Sequence, residues 1–404
     1  MNPSGHHHHR SLDGVRVVDL SRALAGPYAT MMLADVGADV LKVEPPSGDD
    51  SRGWLPFAPP GPDAAPGTTE ESAYFLSANR GKRSVRLDLK SPEGAQRLRD
   101  LCADADVLVE NYRPGLLARL GLDPASLREA NPRLVTLSIT GFGSGGPDGA
   151  RPGFDQIVQA EAGLMSLTGD ADGDPTRVGL PIADILAGMF GAFGVMSALR
   201  EREATGVGRA VETSLLAAVA SVHAFHGSGW LNGGRVPART GNRHPSIAPY
   251  GTFRCADASL VIAVGSESLW RRFAAVVGID PARPDVATNR DRVGNVDALQ
   301  AEIDGLLADR AAEDVLAELA REGVPAGRIR SIPEVYEWEQ VHHLGLVHQL
   351  QHTTLGQVAV PGGALRYDGA ASASPVPPPL LGEHEDLAWD RPWLDQRDSA
   401  EGAA

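Results

Sequence analysis

Residues 15–44 read VRVVDLSRALAGPYATMMLADVGADVLKVE. VRVVDL (15–20) is a β-branched run, and SRALAGP (21–27) is turn-like. YATMMLADVG (28–37) has helical spacing that stops at Gly37, and ADVLKVE (38–44) is a second apolar strand. Two strands joined through a helix make a βαβ unit, and the right-handed crossover makes the pair parallel.

The same alternation continues downstream. SVRLDLK (84–90), DVLVE (106–110) and RLVTLSI (133–139) read as strands, with helices over GAQRLRDLCADA (94–105) and PASLREANP (124–132). Strands and helices of these lengths predict a doubly wound, Rossmann-like α/β sheet. Pro45 to Thr69 is dense in Pro, Gly and Asp and is expected to be irregular. From Gly227 the texture changes to a glycine- and proline-rich stretch. A strand pair over 251–264, turning at Ala256–Ser259, and helices over 267–278 and 298–323 follow it. The expected layout is a tag-like or flexible tail over 1–10, a large α/β domain over 11–226 and a small α+β domain over 227–335. The chain then returns to the large domain over 336–390 and ends in an acidic tail over 391–404.

Composition narrows the class. The chain has 404 residues with 37 Lys+Arg against 52 Asp+Glu, a net charge of −15. Nucleic-acid affinity rests on neutralising phosphates with Lys and Arg, so a DNA- or RNA-binding protein is excluded. Cys102 and Cys255 form no CxxC pair, which gives neither a disulfide framework nor a cysteine zinc site. No apolar segment follows MNPSGHHHHR as a signal peptide would require. The apolar run Ile185 to Leu199 falls short of the ~18 residues of a membrane span and reads as a buried helix. A cytoplasmic protein with no membrane partner is expected.

Several patterns could carry chemistry. GFGSGGP (141–147) follows a strand, either as a plain turn or as a ligand loop, and it is not GxGxxG. No Walker sequence and no GxSxG elbow occur, and the histidines lack HExxH spacing, so no metal centre is expected. RGKRSVR (80–86) places Arg80, Lys82, Arg83 and Arg86 together, and NYRPGLLAR adds Arg113 and Arg119. This is either a phosphate-binding edge or a solvated face. Asp184 lies in VGLPIADILAGMFGAFGVMSAL, where an ionised carboxylate is costly. Pro181 starts the helix nearby, so Asp184 falls at or within its first turn. Two roles stay open for it: a helix-start acid held by the dipole, or a carboxylate nucleophile.

Taken together, LDGVRVVDLSRALAGP, ADVLKVE, NRGKRSVRLDLK, ADVLVENYRPG, LGLDPASLREANPRL, SITGFGSGGP, PIADILAGM, TGNRHPSIAPY and LLGEH resemble the class III CoA-transferases. That is the CaiB/BaiF family, which includes formyl-CoA transferase, and the resemblance spans about residues 11–387. It implies that Asp184 is the nucleophile and that the large domain binds CoA. The implied CoA contacts are Ala25, Leu76, Ser77, Ala78, Asn79, Asn111, Tyr112, Arg113 and Arg119, with Lys82 and Arg83 from the basic cluster. Backbone N–H groups of the glycine-rich turns GFGSGG, with Gly143 and Gly145, and TGNRHP, with Asn242, are candidates for the oxyanion site, and Arg243 and His244 for the acceptor's distal group. The mechanism implied passes through an aspartyl-CoA thioester, with an acyl-CoA and a free carboxylic acid as substrates and no metal. The family's homodimers of interlinked chains are implied as well. The chain departs from formyl-CoA transferase at Pro45, where an arginine stands, and at Leu24, where a glutamine stands. Formate and oxalate are therefore not the expected substrates; small dicarboxylic acids such as succinate are candidate donors, and the acceptor stays open. An α-methylacyl-CoA racemase is the alternative enzyme, but its GHD histidine is replaced by Phe154. A non-catalytic CoA-binding protein is the alternative of another class.

Overall fold

The computed structural model describes residues 10–385. The tails expected over 1–10 (apart from Arg10) and 391–404 lie outside the described residues. Two compact units form. The larger runs to Gly163, resumes over Val178–Leu231 and returns from Glu339. The smaller comprises Leu164–Arg177 and Asn232–Trp338. It thus starts and ends a few residues later than the expected 227–335, and it takes in a segment that no change of composition marks off.

The large unit is built on six parallel strands: β1 (Arg16–Asp19), β2 (Asp39–Glu44), β3 (Lys82–Arg86), β4 (Val107–Glu110), β5 (Val135–Thr140) and β6 (Ala210–Ser214). Their order is β3-β2-β1-β4-β5-β6. This is the Rossmann arrangement, and it reverses direction of travel between β1 and β4. Val18 of β1 registers with Leu41 on one side and Leu108 on the other. Every residue of β4 is buried, which is why the interior strands read as continuous apolar runs. β6 went unread because it is an edge strand of alternating exposure, AVETS, with only Ser214 buried.

Helix α1 (Ala25–Asp35) links β1 to β2, and the short α2 (Ala73–Ala78) precedes β3. α3 (Pro92–Asp104) starts on Ser91, whose side chain accepts the Gly94 N–H, with Pro92 in the first turn. α4 (Asp155–Glu161) leads towards α5 (Ile182–Thr205), which ends at Gly206 in the left-handed conformation. α5 has 24 residues and is long and apolar enough to cross a membrane by length and composition alone. The sequence estimate of Ile185 to Leu199 was too short because the helix includes the first turn at Ile182 and runs on through a charged end. Its inner face, Ala187, Gly188, Gly191, Ala192 and Val195, is buried against α1 and β5.

In the small unit, Tyr250–Arg254 and Ser259–Ala263 pair antiparallel as expected, with Ala326–Arg328 as a third strand. The single helix expected over 298–323 is two, Val296–Leu307 and Ala312–Arg321. Between them the Arg310 carbonyl accepts the Ala256 N–H, and Asp257 caps the Ala312 amide at 2.8 Å. The strand turn therefore breaks the helix.

Gly188 sets how closely α5 approaches α1: a Cβ built there would lie 2.6 Å from the Ala25 carbonyl oxygen. Gly188→Ala is expected to destabilise the large unit by about 1–3 kcal/mol through forced separation of the helices. Calorimetry should show the thermal midpoint falling by several degrees; an unchanged midpoint would mean that the helices are not in close contact.

Candidate active site

All six parallel strands point their carboxyl ends at one edge of the sheet, and open α/β sheets bind ligands there, at the reversal of strand order. Here that crevice lies between the residues after Asp19 and those after Glu110. Asn111 bridges it, accepting the Arg22 N–H at 2.8 Å through Oδ1 and donating to the Arg22 carbonyl at 2.8 Å through Nδ2.

Asp184 lies in the first turn of α5, as the sequence predicted, and is half-buried. Pro181 precedes the helix and caps nothing with its side chain. The cap comes from elsewhere: Asp155 Oδ1 accepts the Ala183 N–H at 2.8 Å and the Asp184 N–H at 3.4 Å. Gln159, fully buried, donates to Asp155 Oδ2 at 2.7 Å and accepts the Val178 N–H at 2.9 Å. This network holds the start of α5 against α4. Burial and the neighbouring Asp155 charge push the Asp184 carboxyl up to about 7.

Tyr74 of α2 faces the same charges. Burial, then Asp184, Asp155 and Asp49, push its phenol up to about 12, so it stays a protonated donor. Its ring meets Trp54 edge-on at 5.0 Å. Neither Asp155, Gln159 nor Tyr74 was picked out in the sequence. Their roles depend on which segments meet, and no local pattern marks that.

A cavity of about 470 Å³ opens at the same edge, lined by Arg22, Pro45, Leu89, Lys90, Tyr112 and Leu120 among others. The Arg22 guanidinium sits 5.3 Å from the Tyr112 ring centroid. Ala25 begins α1 beside this loop and is buried. Arg113 and Arg119 are exposed beyond Tyr112, within reach of solvent-borne anions.

The basic cluster is corrected by the structure. Lys82 is fully buried, its Nζ 3.0 Å from Asp19 and 2.9 Å from both the Pro27 carbonyl and Asn79 Oδ1. Burial draws its ammonium down to about 8. Arg83 is buried against Asp39, Arg80 donates to Asp35 at 2.9 Å, and the exposed Arg86 pairs with Glu385. None of the three buried cations is an open phosphate ligand. The reason is the C-terminal segment, which runs along β3: Gly81 donates to the Val376 carbonyl and His384 to the Ser84 carbonyl. Leu76 and Ala78 are likewise buried, Leu76 against the hairpin strands Val347–His352 and Gly356–Pro361. The buried Asn79 side chain is spent on Lys82 and the Phe75 carbonyl, and Ser77 donates to the Tyr74 carbonyl. Lys90, four residues past β3, is exposed on the cavity.

In the glycine loop, Gly143 (φ 109°) donates its N–H to Thr140 Oγ1 at 3.0 Å, so that amide already has an acceptor. Gly145 is exposed. Asn242, Arg243 and His244 belong to the small unit. There Arg243 pairs with Asp297, His244 stacks on Tyr250 at 5.1 Å, and Asn242 presents its carbonyl to Gly251.

The profile of CoA-transferase family III matches residues 12–385. A succinate–glutarate CoA-transferase of Agrobacterium fabrum is 41% identical over 93% of this chain and 94% of its own length. The mouse succinyl-CoA:glutarate CoA-transferase is 38% identical over 93% of this chain and 85% of its own length. Among solved structures, a CaiB/BaiF family protein from Brucella suis superposes with a TM-score of 0.83 at 36% identity, covering 97% of this chain and all of that one.

Because Asp184 keeps its proton to higher pH in the folded chain than in the unfolded one, the folded state loses stability as pH rises from about 4 to about 7. Asp184→Asn removes that loss. It should exceed the parent in stability at about pH 8 by on the order of 1 kcal/mol, since the half-open site screens much of the effect, and match it near pH 4. Thermal unfolding against pH tests this; a pH-independent difference would contradict it.

Proposed function

The chain belongs to CoA-transferase family III, and from that premise we propose that Asp184 carries CoA from an acyl-CoA donor to a free carboxylic acid. The supporting observation is the Asp184 carboxylate itself. It ionises near neutrality yet is poorly solvated, beside a second carboxylate and at the sheet edge where the nucleotide cavity opens.

The steps follow from that placement. A carboxylate oxygen of Asp184 attacks the thioester carbon, the C–S bond breaks, and CoA thiolate leaves a mixed anhydride. The thiolate then attacks the Asp184 carboxyl carbon, and the donor acid departs with an oxygen that came from Asp184. In the resulting aspartyl-CoA thioester, an acceptor carboxylate displaces thiolate to form a second anhydride. Thiolate attacks the acceptor's acyl carbon, and Asp184 is released carrying one acceptor oxygen. Each addition passes an oxyanion, and the neutral phenol of Tyr74, near enough to Asp184 to feel its charge, is the proposed donor to it.

The nucleotide end of CoA is assigned to the cavity bearing Arg22, Lys90 and Tyr112, with the exposed Arg113 and Arg119 further along the chain and the Leu76–Asn79 backbone as proposed contacts, and not to the buried, paired side chains of Lys82 and Arg83. Ala25 and Asn111 are proposed as further CoA contacts and Gly145 as a substrate contact, and Asn242, Arg243 and His244 of the small unit are proposed for the acceptor. The relatives' names favour a small dicarboxylic acid, succinate or glutarate, as substrate. Racemisation has less support, since Phe154, exposed just before α4, cannot take a proton. Homodimerisation is proposed too: the outer face of α5 exposes Met189, Phe190 and Phe193, the last at 73%.

Incubation with succinyl-CoA should leave a CoA adduct on the Asp184 peptide, visible by mass spectrometry. Asp184→Ala should lose the adduct and at least about a thousandfold in transfer while still binding CoA. Exchange of the α-hydrogen in D2O with no adduct would favour a racemase, and neither signal would leave a binding protein.

A further inference from the structure

Beneath the turn that joins β1 to α1 lies a set of charges that the transfer steps never touch. Lys42 of β2 is fully buried and Asp49 is 2% exposed. Lys42 Nζ lies 2.9 Å from Asp49 Oδ2 and donates to the Ser21 carbonyl at 2.9 Å. Asp49 Oδ1 accepts the Ala23 N–H at 3.2 Å, together with the Ser51 N–H and hydroxyl. Asp19 takes the Ser21 N–H at 2.9 Å, and Asn111 holds both peptide groups of Arg22. Successive peptides at 21, 22 and 23 thus end on side chains drawn from elsewhere in the large unit.

That many tethers answer a specific need. Ala23 has φ 61°, in the left-handed region where a Cβ is disfavoured. The turn carries residues facing two ways: Arg22 lines the cavity, while Ala25 receives Gly188, one helical turn past Asp184. Its shape therefore sets the distance between whatever occupies the cavity and the Asp184 carboxylate.

We propose that the buried Lys42–Asp49 ion pair is a positioning device that locks the strained Ser21–Ala25 turn, so fixing the register between a bound thioester and Asp184. The inference rests on the reading of Asp184 as nucleophile. Alignment of reacting atoms is sensitive to displacements of an ångström, so loosening the turn acts on the chemical step more than on binding.

The test follows Asp184–CoA adduct formation at saturating succinyl-CoA in folded protein, with the parent alongside. Asp49→Ala, which removes both the ion pair and the Ala23 acceptor, should slow adduct formation about 100-fold with KM within about threefold. Asp49→Asn, isosteric and still able to accept the Ala23 N–H, should lose about tenfold; it carries the test if Asp49→Ala does not fold. Ala23→Gly, which removes the left-handed penalty, should restore at least about tenfold in the Asp49→Ala background and most of the loss in Asp49→Asn. A parental rate in the Asp49 variants, a loss confined to KM, or no recovery with Ala23→Gly would each overturn the proposal. No adduct in the parent would instead overturn the assignment of Asp184.

Discussion

The Asp155 carboxylate on the first amides of α5 is the contact on which this site turns. A helix that opens on Pro181 brings no cap of its own, and Asp155 supplies one at 2.8 Å to the Ala183 N–H. The same carboxylate stands beside Asp184 and makes its ionisation harder. One interaction therefore both fixes where the helix begins and conditions the group in its first turn. Gln159 holds Asp155 in place, and Gly188 lets α5 lie against α1, so the carboxylate comes to rest beside the carboxyl ends of the central strands.

Around that contact the large unit spends its charge inward. Lys42, Lys82, Arg80 and Arg83 are buried and face Asp49, Asp19, Asp35 and Asp39. Buried ion pairs of this kind contribute little net stability compared with apolar packing, but removing one partner is costly. They specify which backbone meets which. In this chain they pin the turn after β1 and the edge strand β3.

Much of the fold was legible because apolar runs mark interior parallel strands. Val17–Val18, Val40–Leu41 and Val107–Val109 are buried on both faces, and the sequence shows them as uninterrupted β-branched and leucine stretches. β6 was not legible, since an edge strand such as AVETS needs no apolar face. Nor was the break at Arg310, which depends on a hydrogen bond from Ala256 across the small unit. In the site, Asp184 stood out because a lone carboxylate in apolar company is a local anomaly. The basic cluster misled for the opposite reason. Its partners, Asp19, Asp35 and Asp39, lie upstream in β1, α1 and β2, and the covering segment comes from the chain's far end. Charge pattern alone cannot tell a paired interior cation from a solvated one. Lys90 is exposed on the cavity.

The central claim is that the Asp184 carboxylate is covalently consumed and regenerated in each cycle, and the fate of its oxygens reports on that directly. One turnover would be run from the aspartyl-CoA form with an acceptor acid whose carboxylate carries heavy oxygen, followed by mass analysis of the Asp184 peptide. The account predicts that one heavy oxygen appears on Asp184. An unlabelled Asp184 peptide alongside labelled acyl-CoA product would contradict it, because CoA would then have reached the acceptor without an anhydride to Asp184.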